Sequence, residues 1–225
     1  MMLRAENLSK RYFRKSGQAN HFMAVHGATL ELLPGSLALL SGRSGSGKTT
    51  LLHMLCGLLT PSEGRVTLDG RDIYALGDGA LSRLRNASFA VIPQGRSLID
   101  SLTVYENILF PARVYGNAVN EDAARRWMGE LGIEALADVR PAELSGGELR
   151  RAAIVRALTQ DAPFVFADEP TGDLDDENTC RVLETLRRAA REENKSVLLV
   201  SHDAESSRYA DALYRMDGGR LGDDK

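Results

Sequence analysis

The sequence predicts a parallel α/β fold with a helical insert in its middle. Three observations carry this. Short apolar segments alternate with helical ones at both ends of the 225-residue chain. "APFVFAD" and "KSVLLVS" are apolar throughout, as strands covered on both faces by helices are. Between them and the N-terminal part, from about Ala80 to Gln160, the pattern is mostly helical, which places helices beside a parallel sheet rather than within a bundle.

The elements follow in order. "MLRAENLSKRYF" and "FMAVHGATLELLPGSLALLSG" read as strands cut by glycine and proline, with the polar "RKSGQANH" as the loop between them. "GKTTLLHMLCGLL" has helical length and one apolar face, ending near Pro61. "GRVTLDGRDI" is a short strand with a turn at Asp69-Gly70. "NEDAARRWMGELGI" is an amphipathic helix with Trp127, Met128 and Leu131 facing inward. A chain of this length can bury a sizeable core. The division expected is one domain over 1–225, with the helical insert at roughly 95–160.

Hydrophobic residues make up 43% and charged residues 26% of the chain, an ordinary globular balance. The net charge of -3 leaves no electrostatic footprint for nucleic acid, so no nucleic-acid partner is expected. Cys56 and Cys180 lie far apart, with no paired-cysteine motif, as thiols of a reducing compartment do. No stretch reaches the ~20 apolar residues of a membrane span, and "MMLRAENLSKRY" lacks the apolar centre of a signal peptide. The expected setting is cytosolic, with any membrane role exerted through a partner.

"GRSGSGKT", Gly42 to Thr49, fits the phosphate-loop pattern G-x-x-x-x-G-K-[ST], between an apolar strand ("SLALL") and a helix. Gly42, Ser44, Gly45 and Gly47 allow the tight wrap that turns backbone N–H groups toward an anion. The helix beyond adds the positive end of its dipole, starting at Lys48, Thr49 and Thr50. Lys48 reaches β- and γ-phosphates, and the Thr49 hydroxyl is a ligand for Mg²⁺. A bare Gly/Ser turn explains neither the lysine nor the flanks, and the dinucleotide pattern G-x-G-x-x-G cannot be completed here. "FVFADEP" supplies an acidic strand end: Asp168 for Mg²⁺ and Glu169 to polarise the attacking water. In "ELSGGE", Ser145 and Glu148 form a capping box. Gly146 and Gly147 are poor helix formers, costing about 1 kcal/mol each against alanine, which points to a ligand close to the backbone there. Arg150 and Arg151 read as a solvated helix face.

Taken together, "GRSGSGKT", "LSGGE", "FVFADEPTGDLD" and "LLVSHD" resemble the nucleotide-binding subunits of ABC transporters, in order and spacing, over nearly the whole chain. The resemblance implies a P-loop NTPase fold with a RecA-like parallel core, an N-terminal antiparallel β subdomain and the helical insert. It implies ATP and Mg²⁺ as the ligands and ATP hydrolysis as the reaction. By position, Tyr12 is similar to the aromatic that stacks on adenine. Gln94 in "VIPQG" is similar to the glutamine that touches Mg²⁺ and the attacking water. Ser145, Gly146 and Gly147 match the signature that meets ATP on a second copy, Asp175 matches the loop crossing between copies, and His202 matches the switch histidine. The expected assembly is a homodimer around two ATP molecules, peripheral on the cytoplasmic face of the inner membrane. A membrane permease subunit would dock near Gly95–Tyr105, where Leu98, Ile99, Leu102 and Val104 gather. Leu102 and Val104 are also good core candidates.

Two positions depart from the family pattern: Pro93 stiffens the backbone before Gln94, and Glu148 stands where many members have glutamine, bringing a charge near a phosphate site. "LTVYENI", "PAELSGGE" and "DEPTGDLD" look most like the bacterial lipoprotein-release, macrolide-efflux and cell-division subgroup. Because the chain stops at Lys225, no C-terminal regulatory domain of the kind many importers carry is expected. Two functions share these residues: driving extraction or export of a lipid, peptide or hydrophobic substrate, and mechanical signalling to an envelope protein without transport. GTPases are disfavoured by the lack of a base-reading NKxD motif.

Overall fold

Alternation along the apolar strands sorts their side chains onto two cores. The computed structural model of the chain describes residues 1–13, 21–172 and 174–223. Its strands, in chain order with the helices, are β1 (Leu3–Phe13), β2 (His21–Leu32), β3 (Leu37–Ser41), then α1 (Lys48–Leu55), β4 (Glu63–Leu68) and β5 (Arg71–Asp72). There follow α2 (Asp78–Ser88), β6 (Phe89–Ile92), α3 (Val104–Tyr115), α4 (Glu121–Glu130), α5 (Gly146–Leu158), β7 (Phe164–Asp168), α6 (Asp176–Glu193), β8 (Ser196–Val200), β9 (Ala212–Asp217) and β10 (Arg220–Asp223). Strands β9-β3-β8-β7-β6 run parallel in that order, with β10 antiparallel at the edge. A second, antiparallel sheet has the order β2-β1-β4-β5.

Leu37, Leu39, Val165, Ala167, Val197 and Leu199 point to one face, onto a core shared with α3, α4, α5 and α6. Their neighbours Ala38, Leu40, Phe164, Phe166, Leu198 and Val200 point to the other, onto α1 and the antiparallel sheet. Each strand is therefore buried on both sides, as its uniform apolarity predicts. Trp127, Met128 and Leu131 are buried in the first core.

Two sequence expectations are refined. The stretch from Ala80 to Gln160 is not helical throughout, because β6 interrupts it and pairs with β7. The helix after the glycine-rich loop ends at Leu55, well before Pro61. Gly57 takes φ 73°, a left-handed conformation that ends helices, while the amides of Leu58 and Leu59 both donate to the His53 carbonyl. The loop read at "RKSGQANH" lies outside the described residues except for His21, which opens β2. The turn at Asp69-Gly70 is present, with φ 48° and 82°.

Candidate functional site

The carboxyl ends of the parallel strands converge on one cleft of about 1400 Å³, as in open α/β sheets generally. Gly42 follows β3, Asp168 ends β7, His202 lies just past β8 and Gln94 just past β6. Tyr12, Ser44, Gly45, Gly47, Lys48, Thr49, Thr50, Gln94, Asp168, Glu169 and His202 all line the cleft.

The loop is shaped by close backbone approach. A Cβ on Gly42 would lie 2.2 Å from the Met216 carbonyl oxygen, and one on Gly47 2.2 Å from that of Ala24. Both also have positive φ, 144° and 103°. These two glycines are thus required by the protein's own chain, whereas Gly45 faces open space. No side chain caps α1, so its first N–H groups are left for a ligand at the cleft floor. Lys48 is buried, and its Nζ donates to the carbonyls of Gly42 (2.7 Å) and Arg43 (3.1 Å), holding the loop closed around it.

Thr49 Oγ1 donates to Asp168 Oδ2 at 2.8 Å. Asp168 is 1% exposed, and its Oδ1 is buried with no hydrogen-bond partner. Burial raises its pKa, with the Thr49 bond pulling the other way. A hydroxyl and a carboxylate oxygen side by side, the latter short of a partner, suit a hard oxygen-seeking cation such as Mg²⁺. Among the described residues no cluster of three or more His, Cys, Asp and Glu forms a metal cage.

Glu169 sits at φ 51°, a left-handed backbone uncommon for a side-chain-bearing residue and concentrated at functional sites. Two bonds fix it: its amide donates to the Val200 carbonyl at 2.9 Å, and its carbonyl accepts from Gly172 at 3.2 Å. Its Oε2 lies 2.9 Å from His202 Nδ1. The acid and the histidine, 33 residues apart, thus meet directly at the cleft.

Ser145, Gly146, Gly147 and Asp175 do not line this cleft. They lie elsewhere, Ser145, Gly146 and Gly147 at the start of α5 and Asp175 at the start of α6. The capping box is formed: Glu148 N donates to Ser145 Oγ, and Glu148 Oε2 accepts from Ser145 N (2.8 Å) and Ser145 Oγ (2.7 Å). Those bonds hold the Glu148 carboxyl below its usual pKa. A Cβ on Gly147 would meet Leu174 at 3.1 Å, so the start of α5 abuts the segment before α6. Asp175 caps α6 through Asn178 and is held acidic by those hydrogen bonds.

Other residues escaped the sequence reading. Phe22 pairs across the sheet with Tyr12 and stacks on it, ring centres 5.5 Å apart, at the cleft mouth. Arg150 is no solvated residue: it lines the cleft and donates to the Pro93 carbonyl at 2.9 Å. Arg151 is likewise partly buried, with its Nε out of solvent. Pairing of Tyr12 with an aromatic on an adjacent strand was foreseeable from alternation; the reach of Arg150 was not.

In the 95–105 segment, Val104 is fully buried and Leu98 packs against the core, while Ile99 is exposed. Asn107, itself buried, accepts from Ile99 N and donates to the carbonyls of Ile99, Leu102 and Thr103, fixing the shape of the segment. Phe110, Val114 and Tyr115 of α3 are also exposed.

Comparisons with known proteins point to one family. The family model described as "ABC transporter" matches residues 25–172. A lipoprotein-releasing system ATP-binding protein LolD of Pseudomonas syringae pv. tomato is 37% identical over 98% of the chain and 96% of its own length. Its counterpart in Geobacter metallireducens is 37% identical over 88% of each. Among solved structures, the dimeric bacterial ABC transporter cassette MJ0796 aligns with a TM-score of 0.89 and 29% identity, covering 99% of both chains. A dimeric post-hydrolysis state of the same cassette, bound to ADP and Pi, aligns with a TM-score of 0.89 and 28% identity over 99% of both chains.

Proposed function

Because the chain belongs to the ABC transporter family, as an ATP-binding subunit of the LolD-like subgroup with the P-loop NTPase fold, we propose that its ATP hydrolysis drives extraction of lipoproteins through a separate membrane permease subunit. The observation that carries the reading is the line Thr49–Asp168, then Glu169–His202, laid along the phosphate loop at hydrogen-bond distances. Relatives named for lipoprotein release over nearly their full length support the substrate class.

Each residue takes a role that its position suits. Lys48 exchanges the Gly42 and Arg43 carbonyls for β- and γ-phosphate oxygens, and the uncapped N–H groups of α1 hold the β-phosphate. Thr49 and Asp168 would hold Mg²⁺, with Gln94 at the cleft edge, and the ion would supply neutralisation of phosphate charge. Glu169 orients and deprotonates the attacking water, and His202 holds the Glu169 carboxylate and faces the γ-phosphate side. Tyr12 takes the adenine. Ser145, Gly146 and Gly147 lie away from their own cleft, so they serve the cleft of a second copy, with Asp175 crossing beside them. A head-to-tail homodimer with two ATP molecules between the copies follows.

The helical stretch 95–160 is read as the subdomain that meets the permease. Ile99, with Phe110, Val114 and Tyr115 beyond it, offers the exposed apolar anchors that helix-in-groove docking uses. No helix among the described residues is long and apolar enough to cross a membrane, so attachment at the cytoplasmic face of the inner membrane would run through that partner.

The test is co-purification from membranes, identification of the bound protein, and reconstitution of the complex. The reading predicts a permease and ATP-dependent release of lipoprotein from proteoliposomes. A partner that regulates an envelope enzyme, with no release, would replace transport by mechanical signalling.

A further inference from the structure

Gln94 is exposed, and among the described residues no hydrogen bond holds its side chain. Its position therefore depends on the backbone that carries it. That backbone contains Gly95 at φ 85°, a conformationally permissive residue. Pro93 fixes its own φ but has no N–H with which to anchor the strand end.

Two arginines of α5 supply what the segment lacks. Arg150 Nη1 donates to the Pro93 carbonyl at 2.9 Å, one residue before Gln94. Arg156 Nη1 donates to the Ser97 carbonyl at 2.7 Å and its Nη2 to Ser97 Oγ at 2.8 Å, three residues after it. Bonds from a charged donor are the stronger class, and a planar guanidinium fixes direction as well as distance. The Arg150 guanidinium also lies against the turn after Glu169: a Cβ on Gly172 would meet its Nη2 at 3.9 Å. Arg150 thus stands between the segment carrying Gln94 and the turn carrying Glu169, on the helix that starts at Ser145 and Gly146.

We propose that Arg150 is a positioning residue for ATP hydrolysis, clamping the backbone before Gln94 to α5 while Arg156 clamps the backbone after it. The inference rests on the role given above to Gln94. A shift of α5 when its N-terminus meets nucleotide would then carry Gln94 with it as one body, and a nucleotide contact at Gln94 would be passed back to α5 along the same bonds.

The experiment compares Arg150→Leu, Arg150→Lys, Gln94→Ala and the double variant Gln94→Ala/Arg150→Leu in the full chain. Three quantities are read: kcat and KM for ATP, affinity for a fluorescent ATP analogue, and amide exchange of the peptide around Gln94–Ser97 without nucleotide. Arg150→Leu should lower kcat about tenfold, as small misplacements do, while analogue affinity stays within about twofold. Exchange around Gln94–Ser97 should speed up, and Arg150→Lys, which keeps one donor, should recover part of kcat. The double variant should be no slower than Gln94→Ala alone, because both changes remove one function. Should Arg150→Leu fail to fold, Arg150→Lys carries the same comparison with a smaller loss. Wild-type kcat in Arg150→Leu, or losses that multiply in the double variant, overturns the clamp and leaves Gln94 its role. Wild-type kcat in Gln94→Ala overturns the role of Gln94 and the clamp with it.

Discussion

The N-terminus of α1 and the N-terminus of α5 differ in how much each holds within one chain. At α1 the lysine, the hydroxyl, the buried carboxylate, the acid and the histidine all face one cleft. At α5 there is a serine already bonded to its own Glu148, a glycine open to space and a second glycine pressed on Leu174. The first has the groups for chemistry; the second offers backbone N–H groups and a hydroxyl engaged only within its own capping box. Two helix termini of similar physics thus divide, and in the proposed dimer the α5 terminus of a second copy would complete the α1 cleft.

The comparison breaks most visibly at Glu169. Glu169→Gln keeps the shape and removes the base, so kcat should fall about 10²–10⁴-fold while ATP binding persists. Near-normal turnover would take the catalytic acid away from the α1 region. Next is a contrast between the termini. Lys48→Ala should weaken binding of a fluorescent ATP analogue at least tenfold or so, by loss of a charged phosphate contact, whereas Ser145→Arg should abolish turnover with analogue binding by the single chain intact. Parallel loss of binding in both variants, measured by titration, would erase the distinction.

A smaller effect concerns Asp168. Its carboxyl pKa is raised by burial. A raised group stabilises the fold below its unfolded-chain value, and that stabilisation is lost as pH climbs through the folded value. Once ionised without Mg²⁺, the buried charge therefore weighs against the fold. Asp168→Asn should raise the metal-free melting temperature by a few degrees, flatten its fall with pH between the unfolded-chain carboxylate value and the raised folded one, and abolish stabilisation by Mg²⁺ with nucleotide. A lower metal-free melting temperature would contradict the account. Smallest is Glu148→Gln. The amide keeps the box but removes a charge beside the partner's phosphates, so ATP-dependent dimerisation should tighten severalfold at a stability change below about 1 kcal/mol. Weaker dimerisation in light scattering would show that the carboxylate helps rather than opposes.

Much of this was legible in local sequence. The strand–loop–helix order around Lys48, the apolar run ending at Asp168 and the box at Ser145 and Glu148 are short-range patterns, and each is present, although the helix from Lys48 stops at Leu55 rather than near Pro61. What was not legible depends on packing between distant segments. "FAVI" is too short and uniformly apolar to be told from helix by period; pairing with β7 makes it a strand. The sequence assigns Gly42 and Gly47 to the tight wrap around an anion; the close approach of the Met216 and Ala24 carbonyls, which a Cβ there would meet, comes from segments far off in sequence. Arg150 looked like surface because nothing local says that Pro93 lies above it.

The central claim is that the α5 terminus of one copy completes the α1 cleft of another. Its most direct measurement is native mass spectrometry of Glu169→Gln with ATP and Mg²⁺, beside the same protein carrying Ser145→Arg. The account predicts a dimer holding two ATP molecules in the first and a monomer holding one in the second. A monomer in the first, or a two-ATP dimer that survives Ser145→Arg, would contradict it.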